Sequence, residues 1–85
     1  MTGGYTYIVR CADGTLYTGW AKDVFSRVEV HNSGKGAKYT KTRRPVALVW
    51  YRQYDTEQEA RSMECRIKKW TRRKKEEWIQ QNGGN

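Results

Sequence analysis

Apolar and polar residues follow a strand-like pattern in three segments of the chain. Residues 5–11 and 15–19 are rich in aromatic and β-branched side chains and flank a short polar turn, which predicts a β-hairpin. Residues 46–54 form a third predicted strand that is apolar at successive positions, so helices should cover both of its faces. Strict alternation would place Val46, Leu48 and Trp50 on one face and Ala47, Val49 and Tyr51 on the other.

The length of the hairpin loop decides which tyrosines face the same way. A two-residue turn would place Tyr7 and Tyr17 on opposite faces of the sheet, because side chains alternate with a period of two. A three-residue loop over residues 12–14, ending in a left-handed glycine, would pair Cys11 with Thr15. It would also place Tyr7 and Tyr17 on the same face. We predict the three-residue loop.

The pattern changes to a helical spacing after Asp23, a favourable N-cap residue. We predict a helix that begins at about Val24, in which Arg27 and His31 are four positions apart and therefore lie on one face. Residues 34–44 are rich in glycine and lysine and show no periodicity, so we predict an irregular loop there.

A second helix is predicted after Asp55 or Thr56, either of which could cap it. Glu64 lies beside the apolar stripe of this helix rather than on its charged side. A carboxylate at that position needs a metal ion, an arginine or a buried hydroxyl as its partner, because its desolvation is otherwise unfavourable. The apolar stripe beside which Glu64 lies consists of Ala60, Met63, Ile67 and Trp70. Thr71 either ends this helix or caps a last one.

Together these elements predict an α/β (α+β) fold, a small three-stranded and mostly antiparallel sheet with helices packed on both faces. Trp78 and Ile79 would hold the last helix against the core. At 85 residues the chain is expected to form one domain over residues 1–85, with its core in 5–80. Residues 81–85 are expected to be a flexible tail.

Basic residues are concentrated in the second half of the chain. The formal net charge is +8, and residues 38–75 carry thirteen lysines and arginines against four acids, whereas residues 1–37 carry four against three. This density of positive charge favours a nucleic-acid partner, with a solvated basic surface as the alternative. The sequence has no apolar run long enough to predict a membrane-spanning helix. It also has no signal-peptide pattern, so we do not expect a secreted protein. Cys11 and Cys65 are far apart in the chain, which is typical of reduced thiols in a cytoplasmic protein.

Five side chains, in a fixed order along the chain, could hydrolyse a phosphodiester. Phenols and an imidazole can orient and deprotonate water, a guanidinium can bind phosphate and a carboxylate can hold a divalent metal. The candidates are Tyr7, Tyr17, Arg27, His31 and Glu64. Each also has a structural interpretation. The tyrosines could be packed strand aromatics, Arg27 a solvated residue, His31 a cation at a helix end, and Glu64 the partner of Arg27 alone.

Two tripeptides, Tyr5-Thr6-Tyr7 and Tyr17-Thr18-Gly19, precede the predicted helix of residues 23–31 and the later Glu64. In this order they resemble the GIY-YIG nuclease superfamily, whose motifs GIY and YIG stand at the same places. Residues 23–27 together with His31 are similar to the family's following helix and the cap before it, and its metal-binding glutamate matches Glu64. The stretches GKGAKYT and RIKKWTRRKKEEWI are similar to segments of the small single-domain bacterial group, the YazA-like proteins. The resemblance covers about residues 5–80.

The resemblance implies a metal-dependent endonuclease with little sequence specificity, acting in DNA repair, recombination or processing. By resemblance, Tyr7 is a general base or a phenol that orients water, and His31 accepts or relays its proton. Tyr17 supports the shell of water and metal, Arg27 binds the scissile phosphate, and Glu64 holds one Mg²⁺ or Mn²⁺ ion. Because a phenol ionises poorly at neutral pH, the metal or Arg27 must favour the phenolate, or the proton must pass onward. No small-molecule cofactor is expected.

The expected partner is DNA, single-stranded or structured, contacted by Lys38, Lys41 and Arg43. Exposed aromatic side chains could stack on its bases. The candidates are Trp20, Tyr39 and Trp70. Two alternatives stay open, a nucleic-acid-binding module that does not cleave and a basic interaction subunit of a repair complex.

Overall fold

The computed structural model describes residues 3–82. In chain order its elements are β1 (Gly4–Arg10), β2 (Leu16–Ala21), α1 (Val24–Asn32), α2 (Lys38–Lys41), β3 (Ala47–Tyr54), α3 (Glu57–Lys68) and α4 (Arg72–Asn82). The strands form one antiparallel sheet in the order β2-β1-β3. Helix α1 packs on one face of this sheet, and α3 and α4 pack on the other. The predicted fold class is confirmed.

The β1–β2 hairpin has the predicted three-residue loop. The Gly14 N–H donates to the Cys11 carbonyl at 2.9 Å, and the Cys11 N–H donates to the Thr15 carbonyl at 2.8 Å. Gly14 has a φ of +87°, a left-handed conformation in which glycine alone is unstrained. The Asp13 carboxylate fixes the loop by accepting hydrogen bonds from the Thr15 N–H and hydroxyl. This loop sets the register in which Val9 lies opposite Tyr17, so Tyr7 and Tyr17 lie on the same face of the sheet.

Strand β3 contains a bulge that the sequence pattern did not predict. Ile8 pairs with Trp50 and the next residue, Val9, pairs with Leu48, so Val49 is an extra residue on β3. The bulge reverses the side on which the following side chains lie. Leu48 packs under α1, whereas Trp50 packs under α3 and α4. The prediction that Leu48 and Trp50 share a face is therefore wrong.

Two apolar clusters, one on each face of the sheet, form the core. Under α1 the buried residues are Tyr7, Val9, Cys11, Ala21, Val24 and Val46. On the other face Ile8, Trp50 and Ile67 are buried, with Met63, Trp70, Trp78 and Ile79 packed against them. The predicted stripe of α3 lies against the sheet, as expected. Burying a side chain such as Ile67 contributes about 1.5–3 kcal/mol to the stability of the fold.

Side-chain oxygens cap three of the helices. The Asp23 carboxylate accepts hydrogen bonds from two backbone N–H groups of the first turn of α1, as predicted. Thr56, rather than Asp55, caps α3. The Thr71 hydroxyl accepts a hydrogen bond from the backbone N–H three residues later, so Thr71 caps α4. Each cap contributes about 1 kcal/mol.

Helix α2 lies inside the stretch that was predicted to be irregular, so that prediction is wrong for residues 38–41. A single turn is too short to show a helical periodicity in the sequence. It is held by a tertiary contact instead, since Thr40 is fully buried and its Oγ1 lies 2.8 Å from His31 Nδ1.

Helix α4 extends to Asn82, so residues 81 and 82 of the predicted flexible tail lie in its last turn. The Asn82 side-chain amide donates to the Trp78 carbonyl at 3.1 Å, and the Trp78 ring packs on Trp50. Residues 83–85 of the predicted tail, and residues 1 and 2 of the predicted domain, lie outside the described residues. No helix within residues 3–82 is long and apolar enough to cross a membrane.

Candidate active site

Three of the five predicted site side chains meet on the α1 face of the sheet. Tyr7 Oη lies 2.8 Å from His31 Nε2, and the His31 and Tyr17 rings lie edge to face at a centroid distance of 5.4 Å. The hairpin register places Val9 opposite Tyr17, so Tyr7 and Tyr17 project from neighbouring strands on the same side. Helix α1 crosses this side and brings His31 between them.

The glycine of the second motif makes room for the Tyr7 phenol. A Cβ atom at Gly19 would lie 2.5 Å from Tyr7 Oη, inside van der Waals contact. Gly36 has the same role on the other side, because a Cβ there would overlap His31 Nδ1. Neither glycine has a positive φ, so close approach rather than backbone freedom requires them.

The sequence analysis missed a fourth member of this cluster. Thr40 Oγ1 lies 2.8 Å from His31 Nδ1 and donates a hydrogen bond to the Ala37 carbonyl at 3.0 Å. His31 therefore bridges Tyr7 and Thr40 through its two ring nitrogens. The only sequence signal was the position of Thr40 at the end of GKGAKYT, where the predicted irregular loop gave it no defined partner.

Burial shifts both partners of the Tyr7–His31 contact towards their neutral forms. It raises the pKa of the Tyr7 phenol well above its ordinary value, with the charges of Tyr17 and Glu64 acting in the same direction and Arg27 opposing them. It lowers the pKa of His31 below 6.5, and the positive charge of Arg27 lowers it further. At neutral pH the pair is a neutral phenol beside a neutral imidazole. Of the two routes considered from sequence, passing the phenol proton onward fits this arrangement.

Arg27 lies one helical turn before His31, with its side chain exposed. It borders a surface depression together with Trp20, Lys22 and Val30. Among residues 3–82 it has no ion-pair partner, so the alternative in which Arg27 pairs with Glu64 is not what the structure contains. Its guanidinium is exposed, and its positive charge lowers the pKa of both Tyr7 and His31.

Glu64 belongs to α3 and is half-buried, with 19% of its side chain exposed. Its partner in the structure is Lys68, one helical turn later, whose Nζ lies 3.0 Å from the carboxylate. The arginine or buried hydroxyl considered from the sequence is not its partner. The same ammonium lies 6.0 Å from the centre of the Tyr17 ring. This chain of contacts connects Glu64 to the tyrosine side of the cluster.

The side chain of Glu64 is the one carboxylate among the predicted site residues that could bind a divalent metal ion. Within residues 3–82 no group of three or more histidine, cysteine, aspartate or glutamate side chains could enclose a metal. Magnesium commonly binds through one or two carboxylates, several waters and the phosphates of its substrate. A single carboxylate is therefore a suitable donor for Mg²⁺ or Mn²⁺ that is held mainly by water and a bound phosphodiester, and Lys68 would have to give up its contact with Glu64.

The three predicted nucleic-acid contacts differ in their surroundings. Lys38 and Lys41 line one depression together with Lys35, a residue that the sequence analysis left out of its contacts. Arg43 is held in protein contacts, since it donates to the Asp13 carboxylate at 3.1 Å and to the Tyr39 carbonyl at 2.8 Å. Its guanidinium also covers the Tyr39 ring at 4.1 Å.

The candidate stacking residues are covered to different extents. Tyr39 is 36% exposed and packs beside Tyr17, at a centroid distance of 5.8 Å. Trp20 and Trp70 are half-buried, and each carries a cation over its ring, Arg61 and Lys74 respectively. Tyr39 is therefore the candidate that lies next to the site.

A family model described as the GIY-YIG catalytic domain matches residues 3–77. The chain belongs to the GIY-YIG family. It is similar to UPF0213 proteins of Staphylococcus aureus strains Mu50 and N315, each 59% identical over 75 residues, which cover 88% of this chain and 92% of the relative. The predicted resemblance is confirmed.

Two solved structures share the fold. The solution NMR structure of a UPF0213 protein from Bacillus halodurans is 44% identical, has a TM-score of 0.64 and covers 96% of this chain and 87% of that one. The solution NMR structure of a protein from E. faecalis is 37% identical, with a TM-score of 0.64 and coverage of 95% and 86%. GIY-YIG is a nuclease family, and the names of these relatives state no activity.

Proposed function

We propose that this protein is a metal-dependent endonuclease that hydrolyses nucleic-acid phosphodiesters with little sequence specificity. The observation that carries the proposal is the buried 2.8 Å contact between Tyr7 and His31, beside Tyr17 and the unpaired Arg27, in a chain of the GIY-YIG family. The contact joins a phenol to a neutral base, which is the arrangement needed to remove a proton from water.

In the proposed reaction the water proton moves through Tyr7 to His31. The phenol alone is a poor base, because burial raises its pKa and keeps it protonated. When Tyr7 Oη takes the proton of the attacking water, its own proton passes to His31 Nε2, and the charge accumulates on the imidazole. The lowered pKa of His31 keeps its ring neutral at neutral pH, so one of its two nitrogens can accept a proton. Tyr17 lies against the same ring and would orient the water.

Arg27 would bind the scissile phosphate, and Glu64 would hold the metal. The guanidinium can donate two parallel hydrogen bonds to phosphate oxygens, and they strengthen as negative charge develops in the transition state. The metal, when bound, polarises a phosphoryl oxygen and lowers the pKa of bound water. Arg27 of α1 and Glu64 of α3 come from opposite faces of the sheet, and the charges of both act on the Tyr7 phenol.

The proposed substrate is DNA in single-stranded or structured form, and the proposed role is repair, recombination or processing. The net charge of +8 and the depression lined by Lys35, Lys38 and Lys41 support a polyanionic partner. Phosphate contacts from lysines carry no sequence information, so low specificity is expected. Tyr39 offers an exposed ring on which a base could stack. A cytoplasmic location is part of the proposal, supported by the two free cysteines.

A second candidate is a nucleic-acid-binding module that does not cleave. The ion pair between Lys68 and Glu64 favours it, because an ammonium at 3.0 Å neutralises the carboxylate that would attract a metal. The two candidates differ in one outcome, since only the nuclease forms a product that depends on Glu64.

The test is cleavage of labelled single-stranded, duplex and branched oligonucleotides with Mg²⁺ or Mn²⁺, repeated with EDTA. The wild type is compared with Glu64→Gln and with the matched control Glu77→Gln, which alters an exposed glutamate of α4. Metal-dependent cleavage that is lost in Glu64→Gln and kept in Glu77→Gln supports the nuclease. Binding of DNA without any Glu64-dependent product supports the binding module instead.

A further inference from the structure

Thr40 is placed so that it can decide which ring nitrogen of His31 carries the proton. It lies in α2, is fully buried, and has two hydrogen-bonding neighbours, His31 Nδ1 at 2.8 Å and the Ala37 carbonyl at 3.0 Å. The hydroxyl carries one hydrogen, and the Ala37 carbonyl can only accept. If Thr40 donates to Ala37, its oxygen must accept the hydrogen of His31 Nδ1.

Only one tautomer gives every hydrogen of the cluster a partner. With the proton on Nδ1, the ring donates to Thr40, Thr40 donates to Ala37, and the Tyr7 hydroxyl donates to the bare Nε2. With the proton on Nε2, the ring donates to Tyr7 Oη instead, and the Tyr7 hydrogen has no acceptor among residues 3–82. Tyr7 is 1% exposed, and a buried donor without a partner is unfavourable.

The local structure fixes the acceptor at the end of this chain of hydrogen bonds. The Ala37 carbonyl also accepts the backbone N–H groups of Thr40 and Lys41, both at 3.1 Å, so the turn of α2 holds it in place. Gly36 packs against the His31 ring and leaves no room for a side chain there. Helix α2 therefore serves as the support for one buried hydroxyl.

We propose that Thr40 is a positioning residue that holds His31 in its Nδ1–H tautomer and so keeps Nε2 free to accept the Tyr7 proton. The effect on cleavage rests on the proposed nuclease function, whereas the tautomer itself does not. Thr40 acts through His31 and touches neither the reacting water nor the phosphate in this account.

The tautomer can be observed directly, because His31 is the only histidine of the chain. Long-range ¹H–¹⁵N NMR spectra of the imidazole distinguish a protonated from an unprotonated ring nitrogen. At a pH where the ring is neutral, the wild type and Thr40→Ser should carry the proton on Nδ1. Thr40→Val keeps the shape of the side chain but removes the acceptor, so it should shift the proton towards Nε2. Thr42→Val, at an exposed threonine, is the matched control and should leave the tautomer unchanged.

Cleavage kinetics provide the second readout. Thr40→Val should lower kcat by about 10- to 100-fold, as is common when the group orienting a functional histidine is removed. KM should stay close to the wild-type value, and Thr40→Ser should recover most of kcat. A merely structural role would affect Thr40→Val without moving the tautomer.

A wild-type ring that carries its proton on Nε2 would overturn the proposal, and so would a Thr40→Val variant with unchanged tautomer and kcat. If Thr40→Val does not fold, as judged by its amide spectrum, the wild-type and Thr40→Ser tautomers still decide. If the wild type cleaves no substrate but its Nδ1–H ring shifts its proton towards Nε2 in Thr40→Val, the nuclease function fails and the assignment of Thr40 to the tautomer stands.

Discussion

The Tyr7 phenol and the His31 imidazole are 24 positions apart in the chain and 2.8 Å apart in the structure. Both residues are 1% exposed. Burial keeps the phenol protonated by raising its pKa and keeps the imidazole neutral by lowering its pKa. Both groups are therefore neutral in the resting protein, and a water proton taken up by Tyr7 as its own proton passes to His31 would leave the positive charge on His31.

We expect cleavage to decrease as the pH falls through the His31 pKa. That pKa lies below the ordinary value of 6.5 because of burial and the charge of Arg27, and a protonated ring cannot accept the Tyr7 proton. Single-turnover rates from about pH 8 to about pH 5 should show the loss on the acidic side. A rate that stays constant down to the pH at which the protein unfolds would contradict the role of His31 as acceptor.

The free energy of unfolding should also depend on pH through the protonation of His31. The folded protein binds a proton on His31 less readily than the unfolded chain does, so stability is full above the unfolded-state pKa and falls as the pH drops towards the folded-state pKa. Urea unfolding of the wild type should show this decrease, and His31→Gln should lack that part of it. Parallel stability curves for the two proteins would mean that His31 does not titrate as described.

Removing the guanidinium of Arg27 should reduce cleavage by about 10²- to 10³-fold, the usual effect of deleting one donor to a developing charge. The Arg27→Gln variant tests this, and Arg27→Lys should recover only part of the rate because an ammonium lacks the planar fork. Arg52→Lys, at an exposed position of β3, is the control. Equal rates for the wild type and Arg27→Gln would remove Arg27 from the site.

Substituting Gly19 should disturb Tyr7. The Cβ of Gly19→Ala would lie 2.5 Å from Tyr7 Oη and 2.7 Å from Cζ, within a paired strand that has little freedom to move. Overpacking of this kind costs about 1–3 kcal/mol of stability. In a Tyr7→Leu background, which lacks both atoms, the cost of Gly19→Ala should be much smaller. Chemical denaturation of the four proteins measures this coupling, and additive effects would show that the two sites are independent.

Lys68 should compete with the metal for Glu64. An ion pair of this exposure is worth less than about 1 kcal/mol, so Lys68→Met should tighten Mn²⁺ binding by about two- to fivefold. Paramagnetic broadening of amide signals near Glu64 measures binding without any need for cleavage. The neighbouring Lys69→Met is the control, and an equal Mn²⁺ affinity in both variants would argue against competition.

The features that the sequence predicted correctly are local ones. The Gly14 loop and the caps at Asp23 and Thr71 depend on a few neighbouring residues whose conformational preferences are strong. The hairpin register then placed Tyr7 and Tyr17 on one face. The family resemblance supplied the individual roles of the five candidates, which their order and spacing alone left open.

The features that it missed depend on contacts between distant segments. The bulge at Val49 is set by how Leu48 and Trp50 pack on opposite faces, and an alternating pattern of apolar residues contains no sign of it. Thr40 reaches His31 only because α2 folds back on α1. The Lys68–Glu64 pair, by contrast, follows the ordinary four-residue spacing of a helix and could have been read from the sequence.

The most direct test of the account is the cleavage rate of the wild type against Tyr7→Phe and Tyr5→Phe, with Mg²⁺ or Mn²⁺ and the same panel of oligonucleotides. Tyr5 is a half-buried tyrosine of the same strand whose ring faces Tyr51 rather than His31. We expect the wild type and Tyr5→Phe to cleave at similar rates and Tyr7→Phe to be slower by about 10²- to 10⁴-fold. Equal rates for Tyr7→Phe and the wild type, or a wild type that binds every substrate and cleaves none, would contradict the proton transfer from water through Tyr7 to His31.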